Sequence, residues 1–292
     1  MIKNIAVLLT CHNRKDKTIY CLHNLLKAYK TVQNSIKIKV YLTDDGSSDS
    51  TSEYVKKLYP ETVILKGDGN LFWAGGMRNS WKEALKNNHD SFLLINDDTY
   101  VTENLFDELL ITHNYSISHY KQSGIYIGST RGVENSKLTY GGAIIKNKYL
   151  FSYNKLPPNG RIQECDLGNA NIMLVTFDVV DKIGIIDNGY IHSVADYDYT
   201  LEANRMNIPV LILPNFCGVC DNDKINKYDL FNQLSFKKRI KYLISPTGLA
   251  FHDNLRLMKR NFLYRLPFVF SAGIIKTVLP KVYSNLNKKF RY

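Results

Sequence analysis

The stretch that decides the fold is Phe92-Leu93-Leu94-Ile95-Asn96-Asp97-Asp98-Thr99, an apolar run that ends in two adjacent carboxylates. Such a run is typical of a buried central strand in a parallel sheet. In open α/β sheets, ligands bind at the carboxyl ends of these strands. Neighbouring carboxylates repel each other unless they share a cation, and Mg²⁺ or Mn²⁺ suits their oxygen atoms. Asp is also common in turns and helix caps, so the stretch alone leaves that interpretation open.

The charge distribution indicates an anionic partner. The chain has 292 residues and a formal net charge of +11 at pH 7, which is high for an otherwise ordinary composition. Much of the positive charge follows Tyr228 and is interleaved with apolar residues, as in residues 263–270. That pattern is typical of amphipathic helices on an anionic membrane surface, with a solvated helical tail as the alternative. Nucleic acid is disfavoured because no binding motif or aromatic stacking platform accompanies the basic residues.

The N-terminus and the cysteines indicate a cytoplasmic protein, with a peripheral position on the inner membrane face if the basic region binds lipid. The apolar run 5–9 is too short for a signal peptide, and we find no apolar window long enough to span a bilayer. The five cysteines are odd in number and scattered, which fits reduced thiols. Cys217 and Cys220 have CxxC spacing, but no second Cys or His pair stands at zinc-site spacing, so we expect buried thiols there.

Apolar strands and amphipathic helices alternate through the first hundred residues. This alternation predicts an α/β fold with a doubly wound, mostly parallel central sheet flanked by helices. The later part is less regular and ends in a basic helical extension. We expect a nucleotide-binding half at about 1–100, an acceptor half at about 101–227 and the C-terminal region at 228–292. Local predictions include a helix at 77–87, a strand bend or hairpin around Gly141 and Gly142, an exposed loop at 146–164 and a helix at 192–206.

Several loops that follow these strands together resemble those of family 2 glycosyltransferases with the GT-A fold. They read TCHNR at 10–14, DDGSSDST at 44–51, GNLFWAGGMRN at 69–79 and NDD at 96–98. The likeness covers nearly the whole chain and is greatest to a bacterial, rhamnosyltransferase-like branch that builds polysaccharides. That branch is also similar at Asp196-Tyr197-Asp198-Tyr199 and at the SPTGL segment 245–249.

The resemblance implies a metal-assisted, inverting transferase that moves a hexosyl or deoxyhexosyl group. The donor it implies is a nucleoside diphosphate sugar, with UDP and dTDP favoured, and the acceptor a growing surface glycan, lipid-linked, as in capsule or lipopolysaccharide. Mn²⁺ or Mg²⁺ would bridge the two phosphates and stabilise the charge on the leaving nucleoside diphosphate.

The resemblance also assigns the nucleotide site. Asp45 would hold the nucleoside, glycines would let the backbone approach the ligand, and Trp73 would form a flat wall. Amides opening the helix at Arg78 would favour the diphosphate. Asp45 equally fits an Asx turn, and the glycine loop fits packing without a ligand. The predicted nucleotide-binding residues are Thr10, Asn13, Arg14, Asp45, Gly69, Trp73, Gly75, Gly76, Arg78, Asn79 and Asp97.

Asp98 is the predicted metal ligand and Asp196 the predicted general base, which takes the proton of the acceptor hydroxyl. The family usually has acids where Asn96 and Ala195 stand here. Asp198 would either supply the missing carboxylate or pair with Arg205. Many relatives in the family have a metal-binding His late in the domain. The corresponding segment after Pro214 offers Cys217, Cys220 and Asp221 but no His, so we assign no such ligand. The predicted sugar or acceptor residues are Gly141, Gly142, Asn169, Asn171 and Asp198.

Two other functions remain open at this level. A nucleotidyltransferase also places acids at a strand end for Mg²⁺, but it normally has glycines after the first strand, and residues 10–14 have none. A non-catalytic glycan- or lipid-binding module is kept open by the two departures at Asn96 and Ala195.

Overall fold

The computed structural model describes residues 2–221 and 227–283. Its strands are β1 (Asn4–Cys11), β2 (Lys37–Asp44), β3 (Val63–Lys66), β4 (Ser91–Ile95), β5 (Tyr100–Val101), β6 (Ile125–Arg131), β7 (Gly142–Asn147), β8 (Ser152–Lys155), β9 (Gln163–Glu164), β10 (Leu167–Gly168), β11 (Ile172–Thr176) and β12 (Val210–Val219). Its α-helices are α1 (Lys15–Lys30), α2 (Thr51–Leu58), α3 (Phe72–Ala84), α4 (Leu105–Tyr120), α5 (Phe177–Ile183), α6 (Ala195–Arg205), α7 (Lys227–Gln233), α8 (Phe236–Ile244), α9 (Phe251–Asn261) and α10 (Leu266–Val278).

A nine-stranded sheet forms the centre of the protein. Its order is β3-β2-β1-β4-β11-β6-β12-β5, with β9 beside β12. Strands β3, β2, β1 and β4 are mutually parallel, whereas β11 runs antiparallel between β4 and β6. The predicted α/β architecture, mostly parallel and flanked by helices, is therefore confirmed.

Both faces of the central sheet are buried, and alternate residues of β1 serve opposite faces. Ala6 and Leu8 belong to the cluster that contains Trp81 of α3. Val7 and Leu9 belong to the cluster that contains Leu22 of α1. Because side chains alternate along a strand, a continuous apolar run supplies both layers at once.

The predicted loop 146–164 is wrong in part, since it contains both β8 and β9. β8 pairs with β7 in a second, three-stranded sheet of order β10-β7-β8. All four β8 residues are exposed, so no apolar alternation marks the strand in the sequence. The hairpin predicted around Gly141 and Gly142 lies elsewhere: Gly142 begins β7, and the β7–β8 hairpin turns at residues 148–151.

The C-terminal region is helical, as predicted, over its described residues up to 283; the remainder of the prediction, 284–292, lies outside the described residues. Within it, α9 packs against α6, and α10 packs against α8 and α9. Among the described residues, none of the helices is both long and apolar enough to cross a bilayer. The five cysteines are all buried and unbridged, in agreement with the expected thiols.

Candidate active site

Strand register brings the predicted loops to one edge of the sheet. Cys11 of β1 is paired with Asp44 of β2, and Leu8 with Leu94 of β4. Because these strands are parallel, their carboxyl ends, and the polar segments that follow, meet at the same edge. β11 enters beside the end of β4, where Ile172 is paired with Ile95.

The two acids after β4 have different environments. Asp97 is buried and accepts hydrogen bonds from Arg14 Nη1 (3.2 Å) and Thr18 Oγ1 (3.4 Å). Asp98 is more exposed, and its Oδ2 lies 2.9 Å from the same Arg14 Nη1 and 4.0 Å from Lys17 Nζ. Burial raises the pKa of Asp97 to about 6, with Arg14 opposing the rise and Asp98 adding to it. The acids do not cap a helix, since β5 separates them from α4.

Asn96 stands where the family usually has an acid, and its side chain binds Trp73, the predicted flat wall of the nucleotide site. Its Oδ1 accepts a 2.7 Å hydrogen bond from Trp73 Nε1. Its backbone N–H donates to the carbonyl of Asn171 at 3.3 Å. The first position of the triplet therefore links the glycine loop to the entry of β11.

The carboxylate of Asp45 organises the glycine loop. Oδ1 accepts from the amides of Gly69 (2.9 Å) and Leu71 (3.3 Å), and Oδ2 accepts from the amide of Phe72 (2.8 Å). Gly67 is required beside it, because a Cβ there would lie 2.4 Å from Asp45 Oδ1. The carboxylate thus holds backbone as a turn residue does. Its contact with a nucleoside stays a prediction.

Hydrogen bonds of Asn13 join the loop after β1 to the loop after β2. Asn13 adopts φ +51° and donates its N–H to Ser47 Oγ (2.9 Å). Its Oδ1 accepts from the amide of Ser48 at 2.8 Å. These contacts bring Asn13 and Arg14 next to the DDGSSDST turn, as predicted for two neighbouring strand ends.

Two of the predicted glycines make room for protein atoms. A Cβ on Gly76 would lie 2.0 Å from Thr10 Oγ1, so this glycine lets α3 pack on the end of β1. A Cβ on Gly75 would lie 3.1 Å from the Leu71 side chain. A Cβ on Gly69 would make only an ordinary contact with the Asp45 carbonyl oxygen (3.9 Å), but Gly69 adopts φ +87°, which favours glycine.

The predicted helix boundary at Met77 is wrong, because α3 already begins at Phe72. Its first turns are rich in glycine and aromatic residues, which hides them from a periodicity argument. Arg78 and Asn79 therefore lie inside the helix. Arg78 Nη1 donates to the carbonyls of Asp187 (3.0 Å) and Tyr190 (2.9 Å), and Asn79 Nδ2 donates to Thr43 Oγ1 (3.3 Å).

Asp196 lies in the first turn of α6. Its Oδ2 accepts from the amide of Ala170 (3.2 Å) and from Asn169 Nδ2 (3.4 Å), and its Oδ1 accepts from the amide of Tyr197 (2.9 Å). Burial raises the pKa of Asp196, with these hydrogen bonds opposing the rise. A carboxylate with a raised pKa is a stronger base than one in water, which suits proton abstraction.

A short segment of the chain connects the Asp196 carboxylate with Asp97 and Asp98. It is the segment 169–171, which leads from β10 into β11. Asn169 contacts Asp196, and Asn171 Nδ2 donates to Thr99 Oγ1 at 3.3 Å. Cys220 Sγ lies 3.6 Å from Asn171 Nδ2 and 3.9 Å from Asp98 Oδ1. The two ends of the predicted site therefore belong to one contiguous cluster.

The remaining acceptor-side predictions divide in two. Gly141 is beside Asn169, whose N–H donates to its carbonyl at 3.1 Å. Gly142 faces inward, since a Cβ there would lie 2.5 Å from Ile212. Asp198 is buried and faces α9, where it pairs with Arg260 (2.9 Å), whereas Arg205, its alternative partner in the sequence analysis, pairs with Glu202. Ala195 packs in the core, where an acid would be buried.

Two contributors, Thr18 and Asp253, escaped the sequence analysis, and a third, Cys220, was named there only in the segment that lacks a metal-binding His. Thr18 contacts Asp97, Cys220 approaches Asp98, and Asp253 of α9 binds the segment before α6. Asp253 had a signal, because it is the single acid among ten basic residues in 236–283. Thr18 had none, since it looks like an ordinary core residue, whereas the signal for Cys220 was its place in the segment after Pro214.

A mostly parallel central sheet flanked by helices, with polar loops at the carboxyl ends of its strands, is the architecture of glycosyltransferases with the GT-A fold. Residues 6–160 match the sequence profile described as "Glycosyl transferase family 2", and the chain belongs to that family. No curated protein sequence resembles the chain closely enough to match.

Solved structures share the fold at low sequence identity. Staphylococcus aureus TarS 1–349 in complex with UDP is 15% identical, with TM-score 0.54, 90% of this chain covered and 71% of that one. The mannosyltransferase PcManGT from Pyrobaculum calidifontis, in complex with GDP-Man and Mn²⁺, is 12% identical, with TM-score 0.54 and coverages of 99% and 79%. GalNAc-T7 with UDP, GalNAc and Mn²⁺ is 10% identical, with TM-score 0.59 and coverages of 83% and 48%.

Proposed function

We propose that this glycosyltransferase moves a sugar from a nucleoside diphosphate donor, UDP- or dTDP-linked, to a glycan or glycolipid acceptor with inversion. The observation that carries the proposal is the contiguous cluster from Asp196 through residues 169–171 to Asp98. It provides a base with a raised pKa and, at its other end, acids suited to a cation. TarS, GalNAc-T7 and PcManGT, which share the fold, carry UDP or GDP-Man in their structures.

The acids fit a divalent cation that arrives with the diphosphate. Arg14 and Lys17 already place positive charge at Asp98 Oδ2. Within residues 2–221 and 227–283, no three His, Cys, Asp or Glu side chains form a metal cluster. Mg²⁺ and Mn²⁺ tolerate one or two carboxylates, because substrate phosphates complete their coordination. Asp98 would hold the ion with support from Asp97, and the ion would neutralise charge on the leaving diphosphate.

Asp196 performs the proton transfer in this proposal. Its carboxylate takes the proton from the acceptor hydroxyl as that oxygen attacks the anomeric carbon. The nucleoside diphosphate leaves from the opposite face, so the configuration inverts. Amides of Ala170 and Tyr197 hold the carboxylate in place before the reaction, and Arg14, once released from Asp98, would contact the diphosphate.

The first experiment identifies the donor and then tests the two acids. A thermal-shift screen of UDP-, dTDP- and GDP-sugars with Mn²⁺ selects the donor, because ligand binding raises the unfolding temperature. Release of nucleoside diphosphate from that donor is then measured. Asp196→Asn should bind the donor normally and turn over about 10²–10⁴-fold more slowly. Asp98→Ala should weaken Mn²⁺-dependent donor binding.

Three outcomes contradict the proposal. Full turnover by Asp196→Asn removes the base assignment. Pyrophosphate release from a nucleoside triphosphate and a sugar phosphate indicates a nucleotidyltransferase. Donor binding without any release, even with lipid and glycan extracts present, indicates a binding module.

The C-terminal helices supply a surface for a lipid-linked acceptor. Exposed apolar side chains lie on α8 (Phe236, Ile240, Ile244) and on α10 (Phe268, Phe270, Ile274). Gly273 and Thr277 of α10 are buried and line an open apolar groove of about 190 Å³ between these helices. Residues 236–283 carry ten basic side chains and one acid. Apolar and basic groups in this combination match an anionic lipid surface in this proposal.

Vesicle binding of the full chain tests this surface. We expect binding to vesicles containing phosphatidylserine and weaker binding to phosphatidylcholine alone. Phe268→Asp and Ile274→Asp, at positions 72% and 52% exposed, should weaken it at least about tenfold. Leu58→Asp on α2, 50% exposed, is the matched control. Equal binding to both vesicles, or self-association that replaces vesicle binding, contradicts the proposal.

A further inference from the structure

Asp253 is an acid with an unusual position in the fold. It lies in the first turn of α9 and is 2% exposed. Its carboxylate accepts three consecutive backbone N–H groups, from Ile191 (Oδ1, 3.1 Å), His192 (Oδ2, 2.9 Å) and Ser193 (Oδ2, 2.8 Å). Charge-assisted bonds of this kind are about twice as strong as neutral ones.

The segment that Asp253 holds leads directly into the candidate base. Val194 follows Ser193 with φ +53°, and Ala195 and Asp196 then begin α6. The left-handed region is a strained backbone conformation for a β-branched residue. Such a conformation persists only where neighbouring contacts hold it. The three bonds to Asp253 are the contacts immediately before it.

The same segment is also hydrogen-bonded to α3, which belongs to the predicted nucleotide-binding half. The amide of Ala74 in α3 donates to the carbonyl of Ile191 at 3.1 Å. Arg78 donates to the carbonyls of Asp187 and Tyr190. Residues 187–193 therefore connect α3, which carries the glycine loop, with α6, which carries Asp196.

The structure assigns to Asp253 the role of a positioning residue: its carboxylate holds residues 191–193, and through the strained Val194 it sets the place of Asp196. This inference rests on the proposed function for its kinetic consequences but not for its structural one. It also makes α9 part of the active-site framework. Removal of residues 228–292 would delete Asp253, so the vesicle experiment uses point variants.

Hydrogen–deuterium exchange of the full chain tests the structural part. In Asp253→Asn, one acceptor oxygen is lost, and the amides of 191–193 should exchange on the order of tenfold faster. Asp90→Asn is the matched control, because Asp90 accepts the amides of Lys3 and Asn4 at 2.7 Å at the opposite edge of the sheet. It should leave exchange in 187–198 unchanged. Unchanged exchange in Asp253→Asn overturns the inference, whatever the activity.

Kinetics with the identified donor test the positioning. Displacement of a base by about 1 Å can cost about a hundredfold in rate, so Asp253→Asn should lower kcat about ten- to a hundredfold. The donor KM should change less than roughly threefold, because the donor is held elsewhere. Asp253→Glu keeps the charge but moves the carboxylate, and it serves if the first variant does not fold. A loss confined to KM, or none at all, overturns the positioning role.

The Val194→Gly variant distinguishes positioning through Val194 from a general loss of stability. Glycine adopts a positive φ without strain. Asp253→Asn should therefore cost less kcat in the Val194→Gly background than in the wild type, as a double-mutant cycle measures. Additive effects contradict the link through Val194. If the wild type releases no nucleoside diphosphate, the proposed function fails while the exchange experiment still decides the role of Asp253.

Discussion

Asp45→Asn tests whether this carboxylate builds the glycine loop. The wild-type side chain, 3% exposed, accepts the amides of Gly69, Leu71 and Phe72. Asparagine has one acceptor oxygen, and its amino group would face at least one of these N–H groups. Loss of a charge-assisted bond costs about 1.5–3 kcal/mol, and an unsatisfied buried donor costs about 1–3 kcal/mol. We expect a net loss of about 2–4 kcal/mol.

Urea denaturation and amide exchange together measure this loss. If the substitution destabilises the whole domain, the free energy of unfolding falls by the full expected loss of about 2–4 kcal/mol. If only the loop opens, the amides of residues 69–72 become unprotected, and 2 kcal/mol corresponds to about thirtyfold faster exchange. Asp68→Asn is the control in the same loop, since Asp68 is exposed and its side chain accepts a local bond from the Asn70 amide. Its effect should stay within about 0.5 kcal/mol.

The result that would refute this reasoning is an Asp45→Asn variant with wild-type stability and wild-type exchange in residues 69–72. Weak donor binding by such a variant would mean that Asp45 acts only as a nucleoside contact. Weak binding together with fast exchange would mean that the loop itself is the contact and that Asp45 holds it in place.

Two further predictions concern the acids and the aromatic wall. The folded pKa of Asp97, about 6 because of burial, lies above its ordinary value of about 3.9, so its ionisation opposes folding as pH rises through 6. With EDTA present, Asp97→Asn should therefore be more stable than the wild type above pH 7 and lose that advantage below about pH 4; a gain that does not vary with pH contradicts this. Donor binding should change the fluorescence of Trp73, which contacts Asn96, and Trp73→Phe should abolish the change; a change retained in that variant would come from Trp81, which is buried in the core.

Much of the framework follows from the sequence because its signals are local. The apolar runs of β1 and β4 predict buried strands, and α1 shows the helical period. The order of strands and turn residues then predicts a parallel sheet with polar loops at one edge. Gly46 and Gly69 both adopt positive φ, as turn residues often do. These features depend on neighbours within a few residues, which the sequence displays directly.

The partners of the polar side chains were decided by the tertiary structure. Arg78 contacts a segment that begins 109 residues later, and Asp253 binds amides 60–62 residues earlier. Asp45 could hold a nucleoside or a backbone, and its residue type suits both. Hydrogen bonds of this kind are selected by the packing of whole elements, here α3, α6 and α9, and packing has no periodic signature. The sequence by itself determined which layers the chain forms and where its polar loops gather; only the folded chain decided which of those polar groups face a ligand and which hold the site together, because each buried donor must find its acceptor in three dimensions.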